Sequence, residues 1–117
     1  MINREYVVFE LANGEKELSV LFKEKKYEIL STFLFVEVNS FEEWVKEEFD
    51  KVLSGKSQYE EINGNVCSVK ISFEITQIFD MLTEDDEEYY NSGCEVSTKE
   101  LRLLIDEWCD KRSHIKK

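Results

Sequence analysis

The sequence predicts an α+β domain, an antiparallel sheet of about five strands with two amphipathic helices packed on one face. Three observations carry this. Runs of β-branched and aromatic residues are punctuated by Asn-Gly turns. Two longer segments repeat apolar residues at helical spacing, each behind a capping-box pattern. The length, 117 residues with 42% hydrophobic side chains, suits one domain over 1–117 with one core.

The opening R-E-Y-V-V-F-E-L-A reads as a strand from Tyr6 to Leu11. Asn13-Gly14 then marks a hairpin, because both residue types tolerate positive φ. From Lys16 to Lys23, Leu18, Val20 and Phe22 alternate with Glu17, Ser19 and Leu21, the period of a half-buried strand. The charged K-E-K-K marks another turn. Tyr27 to Val38 is again rich in strand formers, with Phe33, Phe35 and Glu37 interleaved with Leu34, Val36 and Val38, and is expected to be a third strand.

A helix follows. Ser40 with Glu43 three residues later forms a capping box, and Phe41, Trp44, Val45, Phe49, Val52 and Leu53 make one apolar stripe. Gly55 ends it, since glycine accepts the left-handed conformation after a helix. Tyr59–Ile62, N-G-N and Val66–Ile75 read as a second hairpin, its second strand alternating Val69, Ile71, Phe73 and Ile75 with Ser68, Lys70, Ser72 and Glu74. Thr76–Leu82 is too short to assign. A short C-E-V is expected to join the sheet. Ser97 and Glu100 form a second capping box ahead of Leu101, Leu104, Ile105 and Trp108, with Lys111 and Arg112 placed to suit the helix dipole. Trp44 and Trp108 both fall on apolar stripes and are expected in the core.

Charge narrows the function. Acidic residues number 26 against 15 basic, a net charge of −11. Such a surface repels nucleic acid and anionic membranes and attracts a basic partner. Three widely spaced cysteines without a C-x-x-C argue against a disulfide framework or structural zinc site, and fit a reducing cytoplasm. Cys67 and Cys94, near strands, are expected to be small buried hydrophobes and not reactive thiols. No signal-peptide pattern and no run of about 18 apolar residues is visible. The single histidine, His114, lies close to the C-terminus, a poor place for the base of a nucleophile–base pair. No Gly-rich phosphate loop occurs. These readings give no catalytic residue, no cofactor and no enzyme.

The charge is unevenly spread. Asp80 to Glu100 holds eight acids and one base, a net of −7, whereas the final 17 residues are net positive. At its centre, Glu84, Asp85, Asp86, Glu87 and Glu88 run consecutively into Tyr89 and Tyr90. Consecutive carboxylates point in different directions, unlike the alternating ligands and sharp glycine bend of a calcium loop. The competing reading is a metal-binding protein or divalent-metal-dependent hydrolase using clustered carboxylates; stoichiometric metal uptake would reveal it. The alternatives for the run itself are a solvated loop and a recognition surface. Blocks of like charge often mark interaction segments, and tyrosines are enriched at binding hot spots.

The order of elements resembles that of small acidic immunity proteins from bacterial contact-dependent growth inhibition and related polymorphic toxin systems. The features that carry the resemblance are the β-rich opening, the helix F-E-E-W-V-K-E-E-F-D-K-V-L-S-G-K, the strand G-N-V-C-S-V-K-I-S-F and the closing helix S-T-K-E-L-R-L-L-I-D-E-W. It implies a cytoplasmic, non-enzymatic inhibitor whose partner is a cognate toxin domain. Many such toxins are nucleases, tRNA nucleases among them, with basic substrate clefts. Carboxylates can stand where RNA phosphates would lie, so Glu84 to Tyr90 is the expected toxin-binding segment.

Overall fold

The computed structural model describes residues 2–83 and 85–115. Strands β1 (Arg4–Glu10) and β2 (Lys16–Phe22) form an antiparallel hairpin. A 3₁₀ turn, Lys25–Tyr27, leads into helix α1 (Glu28–Thr32), a π-helical segment Phe33–Val38 and helix α2 (Asn39–Leu53). Then come β3 (Tyr59–Asn63), β4 (Cys67–Ser72), β5 (Ile75–Asp80), the short helix α3 (Asp86–Asn91), β6 (Cys94–Ser97) and helix α4 (Thr98–Ile115). Strands β3 to β6 form a four-stranded antiparallel sheet in chain order. The molecule is therefore α+β with six strands in two sheets. Helices α2 and α4 pack on one face of the larger sheet, and α4 also touches β2, so one core serves both sheets.

The first hairpin closes as a β-turn from Leu11 to Gly14 followed by a left-handed Gly14 (φ +88°). Gly14 alone takes positive φ there; Asn13 instead accepts the Glu15 N–H on its side chain at 2.9 Å. Gly55, at φ +83°, ends α2 as expected.

The segment Tyr27–Val38 is helical, not a third strand. Its buried residues, Leu30, Phe33, Leu34, Glu37 and Val38, recur at i, i+3, i+4, i+7 and i+8. Burial along this stripe overrides the strand preference of the residues between. The helical rod continues into α2, so Ser40 does not cap it; a bend at Phe41 (φ −133°, ψ 38°) takes the place of a fresh start. The π-helical turn reaches five residues back, from the Asn39 N–H to the Leu34 carbonyl, and aims Glu37 at the β3–β4 turn. There the fully buried Glu37 carboxyl accepts the backbone N–H groups of Asn65 (2.9 Å), Val66 (3.0 Å) and Cys67 (2.7 Å).

The strand expected over Val66–Ile75 is two strands. The chain reverses at Phe73–Glu74, and the unassigned stretch Thr76–Leu82 supplies most of β5. Thr98 holds the reversal: its N–H donates to the Glu74 carbonyl and its hydroxyl to the Ser72 carbonyl. The second capping box forms in part, with the Ser97 hydroxyl accepting the Glu100 N–H at 3.3 Å.

Trp108 is fully buried and donates its indole N–H to Asn39 Oδ1 at 2.8 Å. Trp44 is not in the core; it is 39% exposed and packs edge-on against Phe41. Arg102 on α4 reaches Asp50 on α2 at 2.9 Å, joining the two helices at the surface. Arg4 grips Glu107 through two bonds of 2.8 and 2.7 Å and ties β1 to α4. Among the described residues no helix is long and apolar enough to cross a membrane.

Candidate functional site

The acidic run lies in the β5–β6 connection, and the sheet determines its shape. At the end of β5 the Asp80 carboxylate accepts the Leu82 N–H and its carbonyl accepts the Thr83 hydroxyl, turning the chain off the strand. Asp85 then caps α3, accepting the Glu88 N–H at 2.7 Å. Past the helix, the Ser92 hydroxyl donates to the Tyr89 carbonyl and accepts the Asp80 N–H, bringing both ends of the connection together.

Tyr89 seats this helix. Its ring stacks on Phe79 of β5 at 5.0 Å and 18°, against the sheet face opposite the core helices. The Lys70 ammonium lies 5.2 Å from the same Phe79 ring. The described part of the run, Asp85 to Glu88, thus forms the cap and first turn of a short helix. Asp85, Asp86, Glu87 and Glu88 are all exposed. Among the described residues no ion pair engages them. Glu84 and the side chain of Tyr90 lie outside the described residues. Of the expected segment, then, Asp85 to Glu88 present carboxylates outward while Tyr89 is turned inward as an anchor.

The open sheet face extends this acidic surface in a way that charge counting along the chain does not reveal. Cross-strand pairing aligns Glu61, Lys70, Gln77 and Glu95 in one row over all four strands. Glu61 and Glu95 stand exposed at its two ends. Gln77 donates to Glu95 at 3.0 Å, and the Tyr59 hydroxyl donates to Glu61 at 3.1 Å, which fixes both carboxylates. The period-two alternation of β3 and β6 contains this signal, but the pairing register is needed to use it.

Among the described residues no three His, Cys, Asp or Glu side chains are grouped to hold a metal ion. Asp85 already caps its helix, and the following acids radiate from it. Cys67 and Cys94 are buried, and burial pushes their thiols up to about 12 and about 11. Cys109 is half-buried and is also pushed up to about 12, by desolvation and then by its hydrogen bond to Glu42. All three are thus neutral thiols at pH 7, unlike activated nucleophiles. His114 is exposed, with Nδ1 2.8 Å from the Asp110 carbonyl on its own helix.

Among known proteins, an immunity protein of Bacillus cereus is 39% identical over 109 residues, which covers 93% of this chain and 89% of that relative. No family model matches the chain. No solved structure matches it.

Proposed function

The chain belongs to the family of this immunity protein, and from that premise we propose that it neutralises a cognate toxin domain by binding it, with the acidic helix α3 as a principal contact. The toxin in this reading is a basic nuclease of a contact-dependent inhibition or related polymorphic toxin system, a tRNA nuclease being favoured. The inhibitor acts in the cytoplasm and carries out no reaction itself.

The observation that carries the reading is the exposed carboxylate block from Asp85 to Glu88, held in a fixed shape by Tyr89 on Phe79. A pre-ordered surface loses little conformational entropy when it binds. Unpaired carboxylates can take up Lys and Arg side chains that a nuclease would otherwise offer to phosphates. Glu61 and Glu95 enlarge the same surface.

The test uses the toxin domain encoded beside this gene, purified with and without the protein. A one-to-one complex that stops RNA cleavage, and forms more slowly as salt rises, is the expected result. If the two proteins do not associate, and cleavage continues at the same rate in the mixture, the reading fails.

A further inference from the structure

The first hairpin leaves an apolar edge uncovered. Val7, Val8, Phe9 and Leu11 of this edge are between 37% and 50% exposed, and Phe35 packs beside Phe9 with ring centroids 6.4 Å apart. Among the described residues strand β1 pairs with β2 alone. Its terminal bonds run from the Lys23 N–H to the Asn3 carbonyl and from the Leu11 N–H to the Glu15 carbonyl. Backbone bonding in an antiparallel pair alternates, so the odd residues Glu5, Val7 and Phe9 exchange their bonds with β2. The even residues Tyr6, Val8 and Glu10 turn their N–H and C=O groups away from the hairpin. Apolar edges of this kind are usually blunted by charge, proline or a bulge, and Val7-Val8-Phe9 has none of these.

We propose that this edge is a self-association surface, on which β1 of a second copy pairs antiparallel about a twofold axis at Val8. In that register Val8 opposes Val8 of the second copy, and their outward backbone groups bond directly. Val7 opposes Phe9 and Phe9 opposes Val7, an aromatic–β-branched pair repeated twice on the exposed face. Glu10 of one copy opposes Tyr6 of the other. The Lys111 ammonium lies 5.0 Å from the Tyr6 ring, so each Glu10 arrives beside a positive charge. No like charges stand directly opposite one another. The joined hairpins form a four-stranded sheet, and the Arg4–Glu107 pair stays as it is.

Sedimentation velocity over a wide concentration range tests this. Wild-type protein should move from monomer to dimer as concentration rises. The dimer should tighten with salt, because each chain carries a net charge of −11 that salt screens. Val8→Pro removes only an outward N–H and keeps φ compatible with an edge strand, so it should stay folded by circular dichroism and remain monomeric. Val8→Cys should form a disulfide-linked dimer on mild oxidation, since directly bonded residues place their Cα atoms about 5.5 Å apart. Leu21→Cys, on the neighbouring strand, should not. A wild type that is monomeric throughout overturns the proposal, as does Val8→Cys failing to cross-link. If Val8→Pro instead abolishes toxin binding by a monomeric wild type, the edge belongs to the toxin and not to a second copy.

Discussion

Gly64 and Glu37 share a space too small for a side chain at residue 64: a Cβ there would lie 2.3 Å from the Glu37 Cδ and Oε2 atoms. The same carboxyl group collects three backbone N–H bonds from the turn that follows. Gly64→Ala should therefore push the carboxyl group off its donors and cost about 2–3 kcal/mol, mainly from buried N–H groups left unpaired. Glu37→Ala should cost a similar amount. The decisive measurement is the double variant by urea denaturation. Once Glu37 is removed, Gly64→Ala should add little, giving strong non-additivity.

This contact also shows why part of the fold was not legible in the sequence. Leu30, Phe33, Leu34 and Val38 mark a helical stripe, but the position between them is a glutamate, and the surrounding Phe, Val and Ile favour strand. Glu37 makes sense there only when the turn 28 residues later is in place. The Phe73–Glu74 reversal has no glycine, proline or asparagine, and its holder, Thr98, lies 26 residues from Ser72. Features with local chemistry were readable, including the Gly14 and Gly55 stops and the Ser97 cap. The acidic block was legible as charge. Its helical form was not, because it depends on Phe79 beneath Tyr89 and on Ser92 joined to Asp80.

The Arg4–Glu107 pair should give stability a specific acid limb. The guanidinium holds the Glu107 carboxyl down at about 2, against an ordinary value of 4.5. A lowered carboxylate pKa contributes fully above about pH 4.5, and its contribution is lost as pH falls towards 2. Glu107→Gln should remove that part of the pH dependence and cost about 1–2 kcal/mol at neutral pH, the lower end for a bond to a charged group because the pair is partly exposed. Thermal melts of both proteins between pH 2 and pH 7 provide the comparison. Parallel curves across that range would refute the assignment.

The thiols should be silent in the native state. Only the thiolate attacks a disulfide reagent, and Cys67, Cys94 and Cys109 are all raised well above the usual thiol range. Titration with an aromatic disulfide at pH 8 should be slow in the folded protein, with the half-buried Cys109 reacting first. All three should react promptly in denaturant. A rapid native burst of one equivalent or more would contradict the burial of these groups.

The role of α3 separates into charge and seating, and two variants distinguish them. Neutralising the block as Asp86→Asn, Glu87→Gln and Glu88→Gln, with Asp85 kept as the helix cap, removes three exposed charges and should leave the fold intact. Association with the toxin domain should slow at least tenfold at low salt, and the gap should close towards 1 M salt, where screening acts within about 3 Å. Tyr89→Ala keeps every carboxylate but removes the stack on Phe79, worth about 0.5–1.5 kcal/mol beyond its buried area. It should speed amide exchange through residues 86–91 and weaken the complex through faster dissociation, with the salt dependence of association unchanged. Equal affinity in both variants and the wild type would place the toxin contact on another surface.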